Sequence, residues 1–256
     1  SIRDLLRTAV EPATRKRTVP GASVLLRELR ATDPAAVFIL SGSPEQMRRV
    51  LEAKLRLDGI RWDSFTLKPS LDNLMKGRFR VIKDQVSYKL EALLAARVHG
   101  ERDHKEILFG DDAEADAFIY SLYGDLCAGR VDNRHLMSVL DAARVYPENM
   151  AQIVRTAGRV PRADCVHRIF IHLDRVSSPA MFEAFGPRVC PFFNYFQPAL
   201  VLVEDGLLDP LACLRVGAGF LLQQGFHPST LNASFAELAN KGLIGSGCAA
   251  KMAATR

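Results

Sequence analysis

Apolar residues along this chain change their spacing repeatedly, from the short continuous runs of buried strands to the 3.6-residue stripes of helices. Ala22 to Leu29 has helical spacing after Pro20-Gly21, and Ala36 to Leu40 is a strand-like apolar run. Met47, Val50, Leu51 and Leu55 form a second helical stripe, followed by a short strand at Ser64 to Leu67. Residues 69–80, with Pro69, Asn73 and Gly77, read as loop. A helix from about Lys83 to Val98 carries Val86, Leu90, Leu93 and Leu94 on one face. A strand at Ile107 to Phe109 and a helix through Phe118, Ile119 and Leu122 complete a repeated strand–helix alternation. Such repetition predicts a parallel sheet with right-handed crossovers.

After Gly129 the pattern turns mainly helical. Residues 132–158 read as helix, Arg168 to Leu173 as a strand, and 193–241 as helix broken at Gly206, Pro210, Gly225 and Pro228. The tail from Gly245 to Ala250 reads as a fraying end. No solenoid repeat is present. The expected division is a first domain over 1–130 and a mainly helical companion over 131–256.

Composition narrows the function classes. The hydrophobic content of 48% and charged content of 25% are those of an ordinary soluble globule, and no apolar run approaches the ~18 residues of a membrane span. The net charge of +5 suits an anionic substrate, but Lys and Arg are dispersed without a basic block, so nucleic acid is not an expected partner. Five cysteines, none in CxxC spacing, read as buried thiols of a reducing compartment, and the expected location is the cytoplasm. The six histidines show no HxxxH or HxH spacing, which argues against zinc.

Three segments share the logic of one site. Val37 to Leu40 runs into Ser41-Gly42-Ser43-Pro44, where a hydroxyl and following backbone N–H groups can converge on an anion. Lys89 lies beside the apolar stripe of its helix. Ile107-Leu108-Phe109 ends in Gly110-Asp111-Asp112 with Asp116 beyond, placing carboxylates at the carboxyl edge of a sheet, where open α/β folds bind ligands. Blander readings exist for several of these residues. Ser43, with Pro44 and Gln46 after it, fits a helix capping box. Asp112 fits a helix cap, Asp116 a first-turn acid favoured by the macrodipole, and Lys89 a solvated helix lysine.

In that order, a strand-end serine, a helix lysine and a strand-end Gly-Asp-Asp resemble motifs two, three and four of the haloacid dehalogenase (HAD) superfamily. Val19-Pro20-Gly21, Leu40 to Pro44 and Gly110-Asp111-xxxx-Asp116-xx-Ile119-Tyr120 are similar to its actin-patch phosphatidate phosphatase branch, a relative of the lipin group. The resemblance covers about residues 1–130. It implies an α/β fold, a HAD-like three-layer parallel sheet, and Mg²⁺-dependent phosphomonoester hydrolysis through an aspartyl-phosphate. Ser41, Lys89 and Asp111 become the expected catalytic residues. Ser41, Gly42 and Lys89 would bind the phosphate, and Asp111, Asp112 and Asp116 the Mg²⁺. The expected substrate is a phosphorylated small molecule or a lipid phosphate.

The family's first motif, Asp-x-Asp-x-Thr at the end of the central strand, has no match here. Asp4, the one aspartate in residues 1–19, sits in the helical-looking Ile2-Arg3-Asp4-Leu5-Leu6-Arg7. The expectation is a nucleophile upstream of residue 1, a sheet without its central strand, and little or no turnover by residues 1–256 alone. The open slot would favour homo-oligomers. A second candidate strand end, His172-Leu173-Asp174, suits an aspartyl-phosphate mechanism poorly because histidine stands where the nucleophilic aspartate belongs. The rival class is an inactive pseudophosphatase that binds anions or acts as a regulator.

Overall fold

The computed structural model describes residues 19–32, 35–69, 78–174 and 177–255. The chain runs α1 (Ala22–Ala31), β1 (Phe38–Pro44), α2 (Arg48–Leu57), β2 (Ser64–Lys68), α3 (Arg78–Val98), β3 (Glu106–Asp111) and α4 (Asp116–Cys127). It continues as α5 (Asn133–Ala142), α6 (Pro147–Ala157), β4 (Val166–His172), β5 (Val189–Phe192), α7 (Phe196–Glu204), α8 (Pro210–Gln224), α9 (Pro228–Asn240) and α10 (Ser246–Ala253). Asp4 and its predicted helix lie outside the described residues, as does most of the 69–80 loop. Residues 78–80 are not loop but the first turn of α3.

The five strands form a mixed α/β architecture with two parallel sheets. β1 pairs with β2, and β4 lies between β3 and β5. Among the described residues the two sheets do not join into the single one expected. β4 comes from beyond residue 130 yet pairs with β3, and β5 adds on its far side, so the larger sheet spans the expected domain boundary. β5 went unread because it is four residues long and interrupted by Pro191.

Strand alternation places helices on both faces of this sheet. Ile169 and Ile171 of β4 enter a core built with α3, α4, α5 and α6. Phe170 points the other way, into a core with Phe192, Val24 and Leu25 of α1, and the helices α7 and α8. Ala199 to Val203 of α7 are all essentially inaccessible, which is why that helix is apolar all round. Pro210 and Pro228 open their helices at the position where a missing N–H costs nothing, and Gly225 closes α8 in the left-handed region. The tail does not fray. It forms α10, and Cys248 is fully buried with its N–H donated to Glu204 Oε2 at 2.8 Å.

The register of α3 positions the site. Val86, Leu90 and Leu94 are fully buried at four-residue spacing. Near the end of the helix, Arg97 donates to Glu106 Oε1 at 3.2 Å, and Tyr123 donates to Glu106 Oε2 at 2.8 Å. This network ties the C-terminal turn of α3 to the start of β3. Lys89 lies eight residues earlier, ~12 Å back along the axis, and so reaches the far end of that strand.

Candidate active site

β1 delivers Ser41 and Gly42 through a break in its ladder. The pairing runs in step from Phe38↔Ser64 to Ser41↔Leu67, then slips before Pro44↔Lys68. The intervening residues bulge out of the sheet, and such bulges re-aim side chains near sites. Ser41 Oγ accepts the Ser43 N–H at 3.1 Å, so its own hydroxyl proton stays free to donate. Ser43 makes no capping box. A short 3₁₀ turn, Glu45–Met47, intervenes before α2, and its cap has no side-chain hydrogen bond.

β3 delivers the acids, with Asp111 in register with His172 at the end of β4. Asp111 Oδ1 accepts the N–H groups of Ala113 at 2.8 Å and Glu114 at 3.2 Å, turning the chain toward α4. Gly110 is required here, because a Cβ would stand 2.5 Å from Asp116 Cβ. That close approach lets Asp116 Oδ2 accept the Asp111 N–H at 3.2 Å.

The sequence-predicted residues converge. Ser41, Gly42, Lys89, Asp111 and Asp116 line one cleft of about 370 Å³, a size in the usual range for small-molecule sites. Asp112 is not part of its lining. Its Oδ2 accepts the Ser177 N–H at 3.1 Å, so it ties down a loop beyond β4 and caps no helix. Five further lining residues, Glu114, Tyr120, His172, Asp174 and Tyr195, were not assigned to the site from sequence. His172 and Asp174 carried a signal, as a strand end of His-x-Asp type, and Tyr120 closed the Gly110 to Tyr120 motif. The others depend on how α4 and the segment before α7 are packed.

Lys89 organises the electrostatics. Its ammonium pairs with Asp116 Oδ1 and lies 2.5 Å from Glu114 Oε2, so it is not a solvated helix lysine. Burial alone would lower its pKa, but Asp116 and Glu114 outweigh burial and hold it above 10.5. Tyr195 is pushed up to about 12, by burial first and then by Asp111 and Asp174. Tyr120 is raised well above 10.0 by burial and then by Asp116, Glu114 and Asp111, and its hydroxyl donates to the Phe109 carbonyl at 3.2 Å. Both phenols stay neutral beside the acids.

The acids differ in what they have left to offer a cation. Both oxygens of Asp116 are engaged, one by Lys89 and one by the Asp111 N–H. Asp111 Oδ1 is held by two amides, whereas its Oδ2 has no partner among the described residues. No three His, Cys, Asp or Glu among the described residues gather as a ready-made metal cage. Mg²⁺ binds through one or two carboxylates plus substrate phosphates and water, and the free oxygen of Asp111 fits that requirement.

Residues 1–133 match the family model described as phosphatidate phosphatase APP1, catalytic domain. The chain belongs to this family. The search of curated proteins and the search of solved structures each return no match. The phosphatidate phosphatase APP1 match takes in Ser41, Gly42, Lys89 and the acids from Asp111 to Asp116, and ends six residues past α4. The cleft continues beyond it, taking His172, Asp174 and Tyr195 from the following residues. No helix among the described residues is long and apolar enough to cross a membrane.

Proposed function

We propose that this chain carries most of the active site of a Mg²⁺-dependent phosphomonoester hydrolase acting on a lipid phosphate. The observation that supports this reading is the convergence of Ser41, Lys89 and Asp111 on one cleft from three distant segments. The family's named activity, a phosphatidate phosphatase, supplies the substrate class.

In this reading the phosphoryl group sits between the Ser41-Gly42 corner and the Lys89 ammonium. The Ser41 hydroxyl and the Gly42 N–H donate to its oxygens, and Lys89 offsets its charge. At an effective dielectric of ~20, a unit charge pair 4 Å apart is worth about 4 kcal/mol. One such pairing offsets part of the repulsion between a phosphate monoester and a carboxylate nucleophile. Asp111, through its unpartnered Oδ2, would hold Mg²⁺, and the cation would supply charge neutralisation to the reaction. Asp116 keeps Lys89 protonated and aimed, so it acts as a positioning residue rather than a metal ligand.

The nucleophile of the aspartyl-phosphate route would be a carboxylate that the described residues of the cleft do not assign. Its oxygen would attack phosphorus, the P–O ester bond would break, and the departing alkoxide would take its proton from a water molecule, leaving hydroxide for the second step. Water then hydrolyses the acyl phosphate to inorganic phosphate.

The test is phosphate release from phosphatidate in mixed micelles by the protein expressed from its full reading frame, with Mg²⁺ and with EDTA. Mg²⁺-dependent release that Asp111→Asn abolishes supports the hydrolase. A folded protein that binds phosphate but releases none from phosphatidate supports the anion-binding pseudophosphatase instead. Release that persists in EDTA overturns the metal-dependent mechanism.

A further inference from the structure

We propose that Glu114 is a built-in stand-in for the substrate phosphate: its carboxylate occupies the anion seat between Lys89 and the Ser41-Gly42 corner and must withdraw for a phosphomonoester to bind. This rests on the phosphoryl-site reading above and names what sets its selectivity.

The geometry carries the argument. Glu114 Oε2 lies 2.5 Å from Lys89 Nζ, while Oε1 is 3.4 Å from where a Cβ on Gly42 would stand. One carboxylate therefore bridges the two walls that a bound phosphate has to bridge. A Cβ at position 42 would just touch that oxygen.

Of the two acids on Lys89, only Glu114 can leave. Asp116 is 3% exposed, packed against Gly110 and held by the Asp111 N–H. The Glu114 side chain is 28% exposed, and Lys89 is its one polar partner among the described residues. Rotation about its own side-chain bonds takes the carboxylate to solvent without moving the backbone.

The number of oxygens that must reach Lys89, Ser41 and Gly42 then gives selectivity. The cleft lining holds one ammonium against the carboxylates of Asp111, Glu114, Asp116 and Asp174. A monoanion competing for Lys89 brings no more charge than the carboxylate it replaces. A phosphate monoester is a dianion with three terminal oxygens, able to reach Lys89, Ser41 and Gly42 together. A phosphodiester, with one charge and two free oxygens, lacks that advantage. Glu114 thereby screens out the diester lipids that surround a monoester lipid.

The test measures inorganic phosphate binding by calorimetry in metal-free buffer with EDTA, so that no effect on a bound cation enters. Glu114→Gln and Glu114→Ala are expected to bind phosphate at least tenfold more tightly than the unsubstituted chain. They should also discriminate less against methyl phosphate diesters added as competitors. Glu114→Asp, which draws the charge back by one methylene, is expected to fall between and guards against misfolding of the neutral variants. Phosphate affinity that is equal or weaker in all folded Glu114 variants overturns the stand-in. If Lys89→Met then still abolishes binding, the phosphoryl-site reading survives alone. Absence of phosphate binding in every folded protein, the unsubstituted chain included, overturns both.

Discussion

Lys89 of α3 and Asp116 of α4 form an ion pair across 27 residues of sequence, with both residues under 5% exposed. A charge pair removed from water this far is costly to break from one side. The partner left behind keeps its charge, or protonates, in a place where water cannot solvate it.

Lys89→Met should therefore lower unfolding stability by about 3 kcal/mol, read from urea melts at neutral pH. The same substitution should remove phosphate binding. A loss below about 1 kcal/mol, the range of exposed pairs, would mean that Asp116 and Glu114 find solvent in the absence of the lysine.

Gly110→Ala tests how the acids are held. The new methyl group would meet Asp116 Cβ at 2.5 Å, Oδ2 at 2.6 Å and Cγ at 2.9 Å. α4 would have to back away, loosening both the Asp111 N–H contact and the Lys89 pair. The expected cost is about 2 kcal/mol, as for other overpacked sites, and it should appear as a lower urea midpoint. Activity should fall more steeply than stability, since the displaced group aims Lys89.

Asp111→Asn separates chemistry from folding. An asparagine oxygen can still accept the Ala113 and Glu114 N–H groups, so thermal stability should stay close to that of the unsubstituted chain. The carboxylate charge proposed to hold Mg²⁺ is lost, and Mg²⁺-dependent phosphate release should vanish. Full release by the asparagine variant would take Asp111 out of the mechanism.

Asp205 carries a pH signature away from the cleft. Its two oxygens accept from Arg168 Nε and Nη2, both at 2.7 Å, and His167 Nε2 lies 3.0 Å from Oδ2. Burial pushes its carboxyl up, but Arg168 and His167 outweigh it and hold the pKa below 3.8. A depressed folded value means the ionised pair contributes fully above pH 3.8 and fades as pH falls through the folded value. Asp205→Asn should thus destabilise at neutral pH, and the gap between variant and unsubstituted chain should close below pH 3.8. Urea melts across pH 3 to 7 check this, and a gap independent of pH would mean that Asp205 is not ionised there.

Much of the cleft was legible because its chemistry needs rare local patterns. A strand end of Ser-Gly and another of Gly-Asp-Asp announce themselves in a few residues, and Lys89 stands out beside an apolar stripe. Glu114 did not, because a glutamate in a turn is ordinary until the turn is folded back over a lysine from another helix. Tyr195 and Tyr120 look like core aromatics by spacing, and only packing makes them walls of the cleft. Asp112 was expected to share the task of its neighbour Asp111, and what packing decided is that its Oδ2 accepts the Ser177 N–H from beyond β4.

The sequence by itself determined most of the strand and helix segments, the order of the proposed anion-binding groups along the chain, and the family to which residues 1–133 belong. Periodicity and short motifs are local properties, and local properties survive in one dimension. Tertiary structure decided that β4 and β5 complete the sheet begun by β3, that α10 packs rather than frays, and that Glu114 rather than solvent faces Lys89. Those outcomes depend on which buried surfaces and charges meet across tens of residues, and no spacing rule along a chain specifies that.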